Sequence, residues 1–421
     1  MRNTEGTRIT KLPEFRTFWA SQSLSMLGTA VSRSAVPLLA ATVLSATPFQ
    51  MGLLQSSLTV SFLVLGLPAG AWVDRMRRRP VMIVCDLARA LLMTSLVVAA
   101  LAGRLGFTWL IVVGLLLGAA RTFYEIAYQS YIPSLVGRDR LVEGNSKLES
   151  TASAAQTAGP AVAGVLVQVG AAAAVSVQAV SYLFSGLLLL RIRKPEPVAG
   201  RAGRGGMGAE IRSGLRFVLG NPLMRAVAGS AATYNFFYAV QSPLVVLLLV
   251  GEAGFSGATA GALMAAGGAG GLLGAATSGW MARRLGQVRV IWLAYLVTIP
   301  TVVLLPLTGP GWRVVFFVVP WFTAAYGLVV YNVAQVSFRQ AMCPDQLLGR
   351  MNASVRFLIW GIIPFGGLAG GALGEWLGVR GALLVAAVGM SSGVVWLLCS
   401  RLRGMRDIPV DAIAEPYVRS G

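Results

Sequence analysis

Residues 70–79 read GAWVDRMRRR, and residues 278–286 read SGWMARRLG. Each segment follows a long apolar run and carries a group of arginines. At an offset of 208 the two segments share a tryptophan and an arginine, Trp72 with Trp280 and Arg75 with Arg283. Asp74 of the first segment is matched by Ala282 in the second. This similarity is the first sign that the chain repeats itself.

A second pair of segments lies at almost the same spacing. VGRDRLVEGNS (136–146) and CPDQLLGRMNA (343–353) match at an offset of 207 in the pattern Leu-x-x-x-Asn. The matching residues are Leu141 with Leu348 and Asn145 with Asn352. Two matches at nearly one offset indicate two related halves, an organisation found in repeat-built membrane proteins.

The composition of the 421-residue chain places these halves in a membrane. Hydrophobic residues make up 56% and charged residues only 12%, about half the share typical of soluble domains. Twelve apolar runs are long enough to cross a bilayer, which takes about 20 residues. We therefore predict an all-α integral membrane fold, with twelve transmembrane helices in two pseudo-symmetric bundles of six. The predicted spans are 18–44, 51–72, 81–102, 108–131, 148–169, 172–190, 222–250, 258–281, 288–306, 314–337, 353–375 and 381–400.

Composition also excludes several kinds of site. The chain has no His, and its three cysteines (Cys85, Cys343 and Cys399) lack CxxC spacing, so neither a His-based catalytic site nor a zinc site is expected. The sequence contains no Walker A motif for nucleotide binding. We expect that the protein is not an enzyme and that it uses no cofactor and no metal.

The basic residues predict the orientation. If the N-terminus is cytoplasmic, 27 of the 35 Lys and Arg residues lie in the cytoplasmic loops and termini or, in the case of Arg289, at the cytoplasmic end of a span. Only Arg104, Arg313 and Arg380 lie in the outer loops. Such a bias predicts a multi-pass protein of the cytoplasmic (inner) cell membrane with both termini cytoplasmic. The first apolar run is too long for a cleavable signal peptide. The net charge of +19 then indicates contact with anionic lipids and not with nucleic acid.

The longest hydrophilic stretch, Arg191 to Asn221, separates the sixth span from the seventh. It runs from RIRKPEP through the Gly/Arg-rich RAGRGGMG to the amphipathic-looking AEIRSGLRFVLGNP. We therefore predict an N-terminal bundle (1–190), a cytoplasmic linker with a surface helix (191–221), and a C-terminal bundle with a short cytoplasmic tail (222–421).

The chain resembles the major facilitator superfamily over essentially its whole length. The loop between the second and third spans is similar to that family's signature, although Arg77 stands where the family usually has Gly. The matching residues are Gly70, Asp74, Arg75, Arg78 and Arg79. The resemblance implies a gate, because a carboxylate among arginines can bind a facing helix end in one conformation and release it in another. The alternative is a charge cluster that only sets orientation.

Two further segments resemble one branch of this family. IPSLVGRDRLVEGNS (132–146), followed by AGPAVAG (158–164), is similar to enterobactin exporters and macrolide-efflux proteins. Within the second segment, Gly159, Pro160 and Gly164 resemble the fifth-helix signature of antiporters, without its usual GPxxGG ending. The resemblance also implies a monomer.

Charged residues inside predicted spans are costly and are candidates for function. Arg121 and Glu125 lie four residues apart on one face of the fourth span and can pair. Burial favours the protonated form of Glu125 and Arg121 favours the charged form, so this carboxyl group can take up and release a proton. Glu125 is therefore the leading candidate for proton coupling, and a static ion pair is the alternative.

Three other intramembrane charges are less specific. Asp86 and Arg89 lie three residues apart, and we expect a local structural pair close to the headgroups. Arg33 lies near the middle of the first span with no carboxylate within four positions. It must face a cavity, a partner on another helix or an anionic group of a substrate.

Aromatic and amide side chains in the spans are candidates to line a substrate cavity, because polar groups facing lipid would remain unpaired. Bonds to neighbouring helices are the alternative. The candidates are Tyr124, Tyr128, Asn235, Tyr238, Gln241, Tyr331, Asn332 and Gln335. As a set they indicate a large cavity of mixed polarity, suited to an amphiphilic organic molecule.

These features predict a secondary active transporter that exports a small amphiphilic compound, such as a drug, an antibiotic or a siderophore-like molecule, across the cytoplasmic membrane. Transport would proceed by alternating access with proton antiport, as in multidrug or antibiotic resistance. The alternatives are an uptake or uncoupled transporter of a small metabolite, or a membrane receptor that does not transport.

Overall fold

The structure is a computed structural model that describes residues 9, 12–73, 75–137, 141–169, 171–193, 215–343 and 348–407. Throughout these ranges the backbone forms helices, turns and bends, with no strand. Ten helical segments among the described residues are long and apolar enough to cross a membrane. The predicted all-α membrane fold is confirmed.

The first half of the chain forms six helices: α1 (Pro13–Val43), α2 (Pro48–Val73), α3 (Arg78–Leu101), α4 (Phe107–Val136), α5 (Leu141–Val169) and α6 (Ala171–Arg191). After a short helical segment at 215–220, the second half begins with α7 (Pro222–Val246), α8 (Gly257–Leu285) and α9 (Gln287–Thr298). It ends with α10 (Val315–Met342), α11 (Leu348–Gly361), α12 (Ile363–Ser392) and α13 (Val394–Leu398). A π-helical turn (Leu247–Glu252) extends α7, and a 3-10 helix (Ile299–Leu307) extends α9.

The predicted count of twelve spans is consistent with these ten segments. The last segment, Ser354–Leu398, has 45 residues and is interrupted at Gly378, where φ is 72° and ψ is 167°. This left-handed conformation favours glycine, and it falls between the predicted spans 353–375 and 381–400. Beside the break, the Arg380 guanidinium binds Glu252 (Nε to Oε2, 2.6 Å) and donates to the Thr308 carbonyl at 3.0 Å. In addition, α5 is not among the ten segments.

The start of α7 shows how the sequence sets a helix end. Asn221 has an extended backbone, and its Oδ1 accepts hydrogen bonds from the backbone N–H groups of Leu223 (3.0 Å) and Met224 (3.3 Å). Pro222 occupies the first helical position, where a missing N–H costs nothing. The linker sequence AEIRSGLRFVLGNP therefore ends in an N-cap, and 194–214 of the linker lies outside the described residues.

The described residues form two compact units. The N-terminal unit comprises 1–46, 57–204 and 257–262, and the C-terminal unit comprises 47–56, 205–256 and 263–421. In the N-terminal unit, α6 packs against α1 and α3, and α1 also packs against α5. In the C-terminal unit, α12 packs against α7, and α9 packs against α10.

Glycines allow α7 and α12 to approach closely. A Cβ atom added at Gly370 would overlap the carbonyl oxygen of Val240, and one added at Gly366 would overlap that of Phe236. Small residues that bring backbones together are a main source of helix association in membranes, because lipid is as apolar as the side chains. The glycine run 366–374, which resembles a phosphate loop in sequence, is therefore a packing face.

We expect Gly370→Ala to lower the free energy of unfolding by about 1–3 kcal/mol, because the added methyl group overpacks the contact with the Val240 backbone. Thermal unfolding of the purified protein in detergent measures this effect. Gly251→Ala is the matched control, since nothing lies within 4 Å of a Cβ at that position. Equal unfolding midpoints for the two variants would show that the α7–α12 contact is not tight.

Candidate functional site

A buried ion pair lies near the middle of α3. Asp86 and Arg89 are 0% and 4% exposed, and the Arg89 guanidinium donates to Asp86 Oδ1. The other carboxylate oxygen, Oδ2, accepts a hydrogen bond from Ser185 Oγ of α6 at 2.7 Å. Ser185 is in turn bonded to Ser21 Oγ of α1 at 2.8 Å. The pair lies deeper in its helix than the sequence indicated and is joined to two other helices.

Two tyrosine rings enclose the guanidinium of Arg89. Its Cζ atom lies 4.0 Å from the ring centroid of Tyr124 on α4 and 4.3 Å from that of Tyr182 on α6. Both hydroxyls are bonded, because Gln22 Nε2 donates to Tyr124 and Gln178 Nε2 donates to Tyr182, each at 2.6 Å. A desolvated cation–π contact contributes about 2 kcal/mol. The cation is thus stabilised by a carboxylate and by two ring faces.

A second charged group, formed by Arg33, Arg121 and Glu125, is more open. Arg33 and Arg121 are exposed and Glu125 is half-buried. Both Arg33 and Glu125 lie close enough to Arg121 to interact with it electrostatically, as does Tyr182. Gln129 Nε2 donates to Glu125 Oε1 at 2.8 Å. The structure therefore brings together three charges that the sequence placed on two helices.

Only part of the proposed gating motif lies within the described residues. Asp74 lies outside them, and Arg75 is exposed. Arg79 donates from Nε to the Leu189 carbonyl at 2.9 Å and from Nη2 to the Leu190 carbonyl at 2.7 Å. These carbonyls belong to the last turn of α6, where regular helical donors are missing, and the Leu189 carbonyl also accepts from the Ile192 N–H at 3.3 Å. Arg79 therefore has a capping role that the sequence did not indicate, while Gly70 ends up inside α2 and Arg78 begins α3.

The antiporter-like motif lies in α5. A Cβ atom added at Gly159 would lie 2.6 Å from Ala30 Cβ and 2.7 Å from the Ala30 carbonyl carbon. Gly159 is thus required where α5 crosses α1. Pro160 and Gly164 lie in the same helix, and their side-chain environment lies outside the described part of the structure.

The C-terminal unit contains an uncharged cluster of tyrosines. Tyr295 meets Tyr234 and Tyr331 edge to face, with ring centroids 6.1 Å and 5.5 Å apart. Its hydroxyl donates to the Met390 carbonyl at 2.6 Å. Tyr234 also stacks on Tyr238, with a centroid distance of 6.0 Å. Of these four residues, the sequence analysis identified only Tyr238 and Tyr331.

The predicted cavity residues differ in their surroundings. Gln241 is buried and Tyr238 is 40% exposed, although the two share one helical face. Asn235 Nδ2 donates to the carbonyl of Ala231 in its own helix at 2.8 Å. The remaining members are buried (Tyr124, Tyr331 and Gln335), half-buried (Tyr128) or exposed (Asn332), and Gln335 Nε2 donates to Asn332 Oδ1 at 3.4 Å. Several of these polar side chains therefore form hydrogen bonds within the protein, which is the alternative to lining a cavity.

Sequence reasoning missed the partners of the buried pair. Gln178, Tyr182 and Ser185 repeat at spacings of four and three, so they form one polar stripe on an otherwise apolar α6. That stripe was a usable signal. Among the described residues, no group of three or more His, Cys, Asp or Glu side chains could hold a metal ion.

Comparison with known proteins agrees with this architecture. The family described as "Transmembrane secretion effector" (MFS_3) matches residues 10–420. The uncharacterized MFS-type transporter YfiS of Bacillus subtilis (strain 168) is 28% identical over 394 residues, which cover 88% of this chain and 88% of YfiS.

Solved transporter structures share the fold. The nucleoside transporter NupG superposes with a TM-score of 0.74 at 12% identity, over 92% of this chain and 99% of that chain. A bacterial homologue of the iron transporter ferroportin, in an inward-facing state, gives a TM-score of 0.70 at 17% identity, over 91% of this chain and 99% of that chain. These identities support a common fold and not a common cargo. With its family match over nearly the whole sequence, the chain belongs to the transmembrane secretion effectors of the major facilitator superfamily, which are membrane transporters and not enzymes.

Proposed function

We propose that the protein exports a small amphiphilic organic compound across the cytoplasmic membrane in exchange for protons. The cargo would be a drug, an antibiotic or a siderophore-like molecule, moved by alternating access of the halves 1–190 and 222–421. The orientation rests on the 27-to-3 division of basic residues, with both termini cytoplasmic. The family's description as a secretion effector supports the outward direction.

One observation carries the proposal of proton coupling. Glu125 is a half-buried carboxylate in the middle third of α4, close to Arg121 and hydrogen-bonded to Gln129. Its partial exposure leaves the carboxylate accessible, and a local rearrangement of Arg121 would change the charge beside it. Asp86 lacks this exposure and has two partners of its own, so we assign it a fixed structural role.

We expect Glu125→Gln to abolish compound-driven proton movement, because an amide cannot exchange a proton. Everted membrane vesicles are energised until a pH-sensitive acridine dye is quenched, and a panel of antibiotics, siderophores and amphiphilic dyes is then added. Compounds that restore the dye fluorescence with the wild type should fail to do so with the variant. Glu252→Gln, which alters a partly exposed carboxylate of the C-terminal unit, is the control. Full retention of proton exchange in Glu125→Gln would refute this assignment.

We expect Asp86→Asn to lower the free energy of unfolding by about 3–5 kcal/mol, the usual cost of removing one partner from a buried ion pair. Thermal unfolding in detergent measures this loss. Replacing both charges, as in Asp86→Leu/Arg89→Met, should recover much of the stability, because no unpaired charge remains. If Asp86→Asn is as stable as the wild type but loses proton exchange, then Asp86 and not Glu125 carries the proton.

A further inference from the structure

The charges inside the N-terminal helices do not balance. The middle thirds of α1 to α6 contain five charged residues. Three are arginines and two are acids: Arg33, Arg89 and Arg121 against Asp86 and Glu125. Within these middle thirds, one positive charge therefore has no counterpart of opposite sign. An unmatched cation at this depth is costly unless it is hydrated or bound by an anion.

The excess charge belongs to the open group and not to the buried pair. Asp86 and Arg89 neutralise each other, and Ser185 and two tyrosine rings complete their surroundings. That leaves two guanidinium groups, Arg33 and Arg121, with the single carboxylate of Glu125. The two cations are close enough to repel each other. This repulsion between Arg33 and Arg121 raises the free energy of the ligand-free protein.

The exposure of the two arginine side chains makes their charges accessible to a ligand. The side chains of Arg33 and Arg121 are both exposed, although both residues lie in the middle thirds of their helices. Exposure to hydrocarbon is unfavourable for an arginine, so these groups must face a space that water enters. Arg121 also lies within electrostatic range of Tyr182, a residue buried inside the unit.

We propose that Arg33 and Arg121 bind an anionic group of the transported compound. The inference rests on the proposed transport function and specifies its substrate class, an organic anion with an apolar body. A guanidinium binds carboxylate, sulfonate or phosphate through paired charge-assisted hydrogen bonds, and two of them around one anion convert repulsion into attraction. Tyr128 is half-buried two turns further along the same face of α4 as Arg121, and its ring supplies an apolar surface for the body.

Equilibrium binding to the purified protein tests the proposal with two probes of one skeleton. The anionic probe is 8-anilinonaphthalene-1-sulfonate, and the neutral probe is N-phenyl-1-naphthylamine, which lacks the sulfonate. Energy transfer from the protein's tryptophans reports bound probe separately from probe in detergent. Because this measurement involves neither direction nor proton coupling, its failure would leave the export proposal standing, and failure of the vesicle experiment would leave this one standing.

Arg33→Gln and Arg121→Gln should each weaken sulfonate binding by about tenfold or more, as expected for a lost hydrogen bond between charged groups. Neither should change binding of the neutral probe. Arg33→Lys should retain part of the affinity. The control is Arg225→Gln, an exposed arginine of α7 in the other unit, which should leave both probes unaffected. Absence of saturable sulfonate binding by the wild type, or equal loss of both probes, would overturn the proposal.

Stability without ligand separates a binding role from a structural one. If Arg33 serves to bind an anion, then Arg33→Gln removes its repulsion with Arg121. The unfolding midpoint of the variant should then equal or exceed that of the wild type. A structural ion pair predicts a lower midpoint than that of Arg225→Gln. That second result would overturn the inference even if sulfonate binding were also weakened.

Discussion

An arginine in the middle of a membrane helix persists only if the protein replaces the water that it lost, and this constraint organises the N-terminal unit. Arg89 receives a carboxylate from its own helix and a ring face from each of α4 and α6. Ser185 holds that carboxylate from α6. Sliding α6 by one residue would displace Ser185 and Tyr182 together, because both lie on one face. Solvation of a single cation therefore fixes the register of three helices.

Because the buried pair is neutral and fully bonded, it is poorly suited to respond to a gradient. Response requires groups with access to water and an incomplete balance of charge, and Arg33, Arg121 and Glu125 have both. Tyr182 lies near both groups, because its ring contacts Arg89 and it is within electrostatic range of Arg121. A buried charged group and a more open one thus lie in one unit.

The sequence predicted the helices well because the bilayer imposes length and hydropathy on each span. Even the break at Gly378 falls between two predicted spans. The partners of Asp86 were harder to predict, since Ser185 lies 99 residues away and a serine in an apolar helix changes hydropathy little. The pairing of Arg121 with Glu125 was predictable from their helical spacing. The proximity of Arg121 to Arg33 depends on how α1 packs against α4, which no sequence pattern indicates.

The bonds of Arg79 extend the rigid group to the helix ends. Its guanidinium binds the last carbonyls of α6, while Asp86, on the same helix as Arg79, binds Ser185 in the body of α6. Two independent sets of polar bonds thus join α3 to α6, and separating these helices would leave the Asp86 carboxylate without Ser185 and would remove the Arg79 donors from the end of α6.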